Sequence, residues 1–284
     1  MPDVSMAEAG NNEMTDYRSE EKDVVVLMSV YNGQQYLEEQ ISSILNQDYT
    51  GKIEILVRDD GSIDCSVGIL KEMAFPANRS VRILEGDNLG VQKSFLKLIQ
   101  EAPAARYYFF ADQDDVWDRD KISSQVAQMS SMGDAPGAVC SNYRISDMDL
   151  TVTQERALRE KPRFTPLRII FYNEIPGCTM GFNESLMNVL KRVKLDSCMM
   201  HDSLVLALAA CCGEISYDPS PGITHRIHGD NVVGAGHKKI VWRRWFGEKL
   251  RLLRQKEEYD LSEMAEQFLE AAGSRGNAQY RADL

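Results

Sequence analysis

The sequence predicts an α/β protein built on a mostly parallel central sheet flanked by helices. Three observations predict it. Between residues 24 and 112, apolar runs rich in β-branched residues alternate with stretches whose apolar residues recur at helical spacing, the rhythm of a parallel sheet wrapped by its crossover helices. The runs are apolar at successive positions, so both of their faces are covered. Acidic and small residues gather at the ends of the runs, where such sheets present their ligand-binding loops.

The elements follow in order. "VVVLMSV" (24–30) is the first strand. "YNGQQYLEEQISSILNQ" comes next, with Tyr36, Leu37, Gln40, Ile41, Ile44 and Leu45 mostly on one helical face. "IEILVRDDGS" (53–62) is a second strand ended by acids and a glycine, and "CSVGILKEMA" a second helix. "VRIL" (81–84) is a third strand, "GVQKSFLKLIQEA" a third helix and "YYFFAD" the fourth strand. After residue 135 the rhythm weakens. "GAVCSNYRI" fits a fifth strand. "PLRIIFYNEIPGCTMGFNESLMNVLKRV" mixes helix, Gly/Pro turn, short strand and helix. "HDSLVLALAACCG" is an apolar helix with Asp202 in its first turn. "ISYDPSPGITHRIHGDN" begins as a strand and turns to loops, and "HKKIVWRRWFGEKLRLLRQ" is a basic helix.

Composition narrows the function. With 32 basic and 43 acidic residues the net charge is −11, which excludes a general nucleic-acid binder. The six cysteines (Cys65, Cys140, Cys178, Cys198, Cys211, Cys212) show no paired metal-finger spacing and read as reduced, mostly buried thiols. No run reaches the roughly 18 apolar residues of a membrane span. Residues 1–22 are polar and acidic without an apolar core, so the expectation is a disordered tail and a cytoplasmic protein.

Three unusual stretches fall at strand ends: "SVYN" (29–32), "RDDGSID" (58–64) and "ADQDD" (111–115). This topology can bring them to one rim. Asp112, Asp114 and Asp115 crowd three carboxylates at the end of an apolar strand, and like charges so close call for a positive partner. Two carboxylates at i and i+2 can share a hard cation, Mg²⁺ or Mn²⁺, whose shell substrate phosphates complete. The alternative is a solvated acidic turn leading to the helix at "DRDKISSQV", with Asp118 as its N-cap. Asp59 or Asp60 can accept from the ring N–H of a uracil or thymine or from a ribose hydroxyl, with Gly61 allowing a tight turn. The same residues also read as a turn followed by a cap at Ser62 or Asp64. Neither GxxxxGK[ST] nor a GxGxxG after the first strand is present, so a diphosphate here would lean on a metal and not on a glycine cradle.

Together "VVVLMSVYNGQQYLEEQISSILNQ", "ILVRDDGSID", "DNLGVQKSF" and "FFADQDDVWDRDKI" resemble the nucleotide-sugar half of family 2 glycosyltransferases. "IPGCTMGFN" (175–183), "HDSLVLALAACCG" (201–213) and "HRIHGDNVVG" (225–234) resemble the rhamnosyltransferase-like subgroup of bacterial surface polysaccharide assembly. The resemblance implies the A-type glycosyltransferase fold and an inverting reaction. It implies a nucleotide-sugar site of Ser29, Tyr31, Asn32, Asp59, Asp60, Asp112 and Gln113, and a divalent cation on Asp112, Asp114 and His228. Asp202 matches the catalytic base. Trp117, Gly177, Cys178, His201 and Arg226 fall in the acceptor or phosphate loops. A carboxylate at a helix start, partly shielded from water, suits a general base, although the helix dipole alone also favours an acid there.

The implied parse is a tail (1–22), a glycosyltransferase domain (23–235) and C-terminal amphipathic basic helices (236–284). The domain divides into a nucleotide-sugar half (23–130) and an acceptor or catalytic half (131–235). The implied reaction moves one sugar, L-rhamnose from dTDP-L-rhamnose by preference, to a glycan or lipid-linked acceptor. UDP-hexoses and UDP-N-acetylhexosamines are alternative donors. The chain departs from the subgroup at Leu204, where an aromatic residue is usual, and at His225-Arg226-Ile227-His228, where Tyr-Arg-Gln-His is common. The QxxRW motif of processive synthases is missing, which favours a distributive enzyme. Two rivals stand beside this reading. A sugar-1-phosphate nucleotidyltransferase would carry a Gly-rich basic loop that "SVYNGQQY" lacks. A non-catalytic sugar-nucleotide-binding protein would tolerate loss of Asp114 or Asp202. In 238–254, Trp242, Trp245 and Phe246 lie on one helical face, and Arg243, Arg244, Arg251 and Arg254 on the other. Such a helix suits an anionic membrane surface, on the inner face of the plasma membrane, or packs on its own domain or a second subunit of a homodimer.

Overall fold

The computed structural model describes residues 22–193 and 199–229. The expected tail up to residue 21, the basic helix at 238–254 and the rest of 236–284 lie outside the described residues.

The first half keeps the predicted rhythm: β1 (Lys22–Val30), α1 (Leu37–Leu45), β2 (Ile53–Asp59), α2 (Ser66–Glu72), β3 (Arg79–Glu85), α3 (Val91–Glu101) and β4 (Ala105–Ala111). β1 is central and parallel to both neighbours, with Val26 facing Ile55 of β2 and Phe109 of β4. β3 extends the parallel set at the edge. The second half is β5 (Val116–Trp117), α4 (Lys121–Ser131), β6 (Gly137–Ser146), β7 (Val152–Gln154), α5 (Pro166–Phe171), β8 (Met180–Asn183), α6 (Glu184–Leu190), α7 (His201–Cys212) and β9 (Glu214–Arg226). One sheet runs through both halves in the order β3-β2-β1-β4-β8-β6-β9-β5, with β7 on β6. The parallel rule ends at β4. β8 is antiparallel to both β4 and β6, whereas β9 is parallel to β6. A four-residue β8 and a two-residue β5 are too short to leave a period in the sequence, and so the rhythm fades there.

Alternation along β1 builds the layers. Val24, Val26, Met28 and Val30 pack with Leu37, Ile41 and Ile44 of α1. Val25 and Leu27 pack on the other face with Phe95, Leu98 and Ile99 of α3 and with the apolar α7. Each such side chain contributes about 1.5–3 kcal/mol on burial. Two covered faces are why the strand reads as a continuous apolar run. Among the described residues no helix is long and apolar enough to cross a membrane.

Candidate active site

The three strand-end loops do meet at one rim. Gln113 clasps Tyr31, accepting from its backbone N–H at 2.8 Å and donating to its carbonyl at 3.2 Å. The loops after β1 and β2 are stitched reciprocally. Asn32 N–H donates to Ser62 Oγ (2.9 Å) and Asn32 Oδ1 accepts from Ile63 N–H (2.9 Å). Gln34 N–H donates to Asp64 Oδ2 (3.0 Å). Asn32 holds φ +49°, a left-handed conformation that asparagine tolerates. Gly61 at φ +83° turns against Asn88, whose backbone nitrogen leaves a Cβ only 3.0 Å. Tyr31 is 48% exposed at the mouth.

Asp59 and Asp60, adjacent at the end of β2, do different things. Both Asp60 oxygens are occupied. Arg58 Nη1 and the Leu89 N–H (2.9 Å) donate to Oδ1, and the Gly90 N–H (2.9 Å) to Oδ2. Asp60 thus ties the turn before α3 to the sheet. Asp59 accepts from Gly61 N–H and Ser62 N–H through Oδ2, while its buried Oδ1 has no partner. Ser29 also turns inward, its hydroxyl 2.6 Å from that of Ser94 on α3.

The acidic loop leaves β4 beside α1, where Gln40 Nε2 donates to the Asp112 carbonyl at 2.9 Å. Two histidines from the end of β9 meet it. His228 Nε2 lies 2.7 Å from Asp114 Oδ2, and His225 Nδ1 lies 2.7 Å from Asp115 Oδ1. His228 also stacks on Tyr36, ring centroids 4.6 Å apart. Burial, with Asp115 and Asp114 beside it, pushes Asp112 up to about 7. Burial and Asp115 raise Asp114 likewise. For Asp115, burial is outweighed by His225, which holds the carboxyl below its usual range. His225 rises to about 9: burial opposes the charge, but Asp115 and then Asp112 and Asp114 overcome it. Two carboxyls that resist ionising together mark a place with more negative charge than it can hold, which a cation relieves.

Two donor sets could serve a divalent ion. Asp112, Asp114 and His228 offer carboxylate and imidazole, which suit Mn²⁺ or Mg²⁺, and of these His228 and Asp114 are in contact. Asp115, Cys178 and His225 converge, with ligand atoms within 4.8 Å of one another. That second set fits poorly. Burial, Asp115 and Asp112 hold the Cys178 thiol well above its ordinary value, and Asp115 is already paired with His225.

Asp202 stands in the first turn of α7, with Oδ1 accepting from the Ser203 N–H at 2.5 Å. Burial lifts its carboxyl to about 6, against the pull of the Ser203 and Asn173 hydrogen bonds. The turn at Gly177–Thr179 connects it to the acids. A Cβ on Gly177 would stand 2.5 Å from His201 Nε2 and 3.6 Å from Asp202 Cβ, so only glycine allows this approach. The next side chain, Cys178, sets its Sγ within 4.8 Å of an Asp115 carboxylate oxygen. Asp202 and the acidic loop therefore flank one two-residue step of chain.

Other expected site residues lie beneath the site. The His201 ring is stacked on Phe95 at 3.8 Å and set edge-on to Phe110, and burial drops it to about 3. It is a core ring, closed to an acceptor. Trp117 is buried against Phe109 and Lys121. Arg226, 5% exposed, donates to the Asp114 carbonyl (3.1 Å), the Met148 carbonyl (2.6 Å) and Glu39 Oε2 (2.5 Å), with its guanidinium over Tyr36. It latches β9 to the acidic loop and does not offer itself to a phosphate. Asp118, expected to cap α4, instead takes a two-pronged contact from Arg144 at 2.8 and 2.9 Å. Sequence reasoning passed over Tyr36, Lys121 and the His225–Asp115 pair. Lys121 carried a signal, because it shares a helical face with Ile122, Gln125 and Met129, all buried.

A mixed sheet with acid-bearing loops at its strand ends is the architecture of an A-type glycosyltransferase, and the comparisons agree. Residues 25–190 match "Glycosyl transferase family 2"; the chain belongs to that family and is a glycosyltransferase. It is 29% identical over 222 residues to "dTDP-rhamnosyl transferase RfbG" of Shigella flexneri, covering 73% of this chain and 74% of that protein. It is 37% identical over 227 residues to an uncharacterised glycosyltransferase of Haemophilus influenzae, covering 74% and 67%. Among solved structures, the mannosyltransferase PcManGT of Pyrobaculum calidifontis with GDP-Man and Mn²⁺ matches with a TM-score of 0.58 at 18% identity, over 93% of this chain and 68% of that one. S. aureus TarS 1–349 with UDP-GlcNAc matches with a TM-score of 0.55 at 18% identity, over 74% of this chain and 60% of that one. These two likenesses show the fold.

Proposed function

We propose that the protein transfers one sugar, by inversion, from a nucleoside-diphosphate donor to a hydroxyl of a glycan or lipid-linked acceptor in bacterial surface polysaccharide synthesis. The observation that carries this is the step at Gly177–Cys178, where Gly177 lies against Asp202 and Cys178 lies within 4.8 Å of Asp115 of the acidic loop. Asp202, with its carboxyl near 6, is deprotonated at neutral pH yet basic enough to accept a proton. It takes that proton from the acceptor hydroxyl as the oxygen attacks the anomeric carbon, and the nucleoside diphosphate leaves. Asp112, Asp114 and His228 would hold a divalent cation, which when bound neutralises charge growing on the leaving diphosphate. Asp59, with Oδ1 free of partners, is the better acceptor for a base or ribose, and Tyr31 borders the mouth. The donor is dTDP-L-rhamnose, supported by the likeness to RfbG. UDP-hexoses and UDP-N-acetylhexosamines are the second reading, supported by the fold neighbour solved with UDP-GlcNAc. A thermal-shift panel of nucleotide sugars with and without Mn²⁺ tests it, because a bound ligand stabilises by RT ln(1 + [L]/Kd). dTDP-L-rhamnose should give the largest Mn²⁺-dependent shift and release dTDP on turnover. A larger shift with a UDP-sugar replaces the donor assignment. No shift with any nucleotide sugar overturns the reading.

A further inference from the structure

Tyr36 is buried at the start of α1, yet among the described residues it stands apart from both apolar core clusters. Its ring meets the end of β9 instead. The His228 ring lies on it with centroids 4.6 Å apart and planes 25° from parallel, and the Arg226 guanidinium carbon lies 5.0 Å from its centroid. The chain stays paired just past β9, where the Ile227 N–H donates to the Ser146 carbonyl at 3.0 Å. Side chains two apart on an extended chain share a face. Arg226 and His228 therefore reach Tyr36 together, while Ile227 packs on an apolar core. The same two residues hold Asp114 at both ends. Arg226 Nε donates to its carbonyl (3.1 Å), and His228 Nε2 meets its Oδ2 (2.7 Å). Arg226 is tied in turn to Glu39 Oε2 (2.5 Å), three residues beyond Tyr36 on α1. The backbone under Tyr36 is anchored separately. Its N–H and that of Leu37 donate to the Gly33 carbonyl at 3.0 and 3.1 Å, and the Gly33 N–H donates to Ser66 Oγ at 2.9 Å. Gln113, next to Asp114 in the chain, lies against that glycine, its Oε1 2.5 Å from where a Cβ on Gly33 would stand. One turn, 33–36, therefore borders both members of the Asp114–His228 pair: the acid's loop through Gln113 and the imidazole through the tyrosine ring.

We propose that Tyr36 is a positioning residue that acts through His228: its ring sets the plane of the imidazole and holds Nε2 beside Asp114 Oδ2. The inference deepens the reading that Asp114 and His228 hold a divalent cation, and it rests on that reading. A leucine or methionine could fill the space of the tyrosine but has no flat face on which an imidazole can stack. Without that face the ligand has to be immobilised as the cation binds, which lowers affinity. Removing a group that orients a metal ligand typically costs about tenfold or more in metal affinity.

The test measures Mn²⁺ affinity in the presence of UDP or dTDP, from the electron paramagnetic resonance of free Mn²⁺, on the full chain. The proteins are wild type, Y36F, Y36M, H228A and the double variant Y36M/H228A, each with a melting curve to show that it is folded. Y36F keeps the ring and should bind Mn²⁺ like wild type. Y36M and H228A should each bind it about tenfold more weakly. The double variant should bind no more weakly than H228A, because a residue that acts through His228 has nothing to orient once the imidazole is gone. Losses that add in the double variant overturn the inference, since a packing role would weaken the site with or without His228. Y36M that binds like wild type, beside a weakened H228A, overturns it while leaving the cation reading intact. Y36F as weak as Y36M overturns it too, because the hydroxyl and not the ring would then matter. If H228A itself binds Mn²⁺ like wild type, His228 is not a ligand; the cation reading fails at that residue and the inference falls with it. Y36L, a second side chain without a ring, replaces Y36M if that variant does not fold. If neither folds, the ring serves the fold and the inference is overturned.

Discussion

The rim built by β1–β4 and the loops built by α5–β9 are assembled by opposite means. The β1–β4 rim is stitched by side chain to backbone bonds between segments about thirty residues apart, such as Asn32 to Ser62 and Gln34 to Asp64. Its central acid, Asp60, has both oxygens engaged. The second half reaches across the chain, 114 residues for His228 to Asp114 and 187 for Arg226 to Glu39. Three groups pushed far from their ordinary values lie where its loops meet the acids: Asp112 near 7, Asp202 near 6 and His225 near 9. Titratable groups under that kind of tension mark chemistry more often than framework. The difference teaches that the first half is a frame held by its own short-range bonds, whereas the acids at its edge find their partners in the second half.

The strongest way to break this division is at Asp114. D114A removes the carboxylate on which both halves converge, so turnover should fall by about 10³-fold, while the empty protein melts no lower than wild type because a charge has left a repelling cluster. Steady-state rates in metal-buffered assays, with melting curves alongside, decide it. Near-wild-type turnover would end the claim that this carboxylate serves catalysis. Next in size is D202N. The amide cannot take a proton, so kcat should fall by roughly 10²-fold or more with the donor Kd unchanged. In wild type the rate should rise with pH through about 6, as the base loses its proton, and then level off; D202N should erase that limb. A raised donor Kd with kcat spared would move Asp202 into the frame.

A smaller effect separates Asp59 from Asp60. D60A strands Arg58 in the core, and breaking a buried pair from one side costs about 3–5 kcal/mol, which denaturant melts would register. D59N keeps the volume but turns an acceptor face into a donor, so the Kd of donor and free nucleoside diphosphate should rise together, as lost uniform binding does. If D60A melts normally and loses nucleotide, while D59N binds it normally, the two roles are exchanged.

The two halves were also unequally legible. "VVVLMSV" and "YYFFAD" announced central strands because burial on both faces leaves a continuous apolar run, and their loops could be placed at one rim by topology alone. The partner of each acid could not. Asp114 and Asp115 are adjacent and chemically identical, yet His228 takes one and His225 the other, a choice made by how β9 ends against the sheet. The resemblance sets Asp60 at the nucleobase with Asp59 beside it, and no letter of the sequence shows that Arg58 and the Leu89 and Gly90 amides all fall on Asp60. His201 and Arg226 were placed in the site by neighbours in sequence. Burial between phenylalanines and a latch to Glu39 are tertiary facts that a polar letter does not reveal.

The smallest effect concerns His201, the point where the second half is pure framework. Both ring nitrogens are buried without partners, and burial holds the ring near 3, whereas an unfolded histidine titrates near 6.5. Between those values the unfolded chain binds a proton that the folded chain refuses, so this residue lowers stability as pH falls below about 6.5 and costs nothing extra above it. At pH 5.5 the loss is about 1.4 kcal/mol, a few degrees of melting temperature for a domain of this size. A ring or chain that does not titrate escapes it. H201F and H201L will each carry a constant packing offset, because Gly177 lies against the imidazole, but that offset does not vary with pH. The difference in melting temperature between variant and wild type should therefore move in the variant's favour as pH drops from 7.5 to 5.5, by a similar amount for both. A difference that stays flat across that range would mean the ring takes up a proton in the folded state, and that His201 belongs with the reacting groups after all.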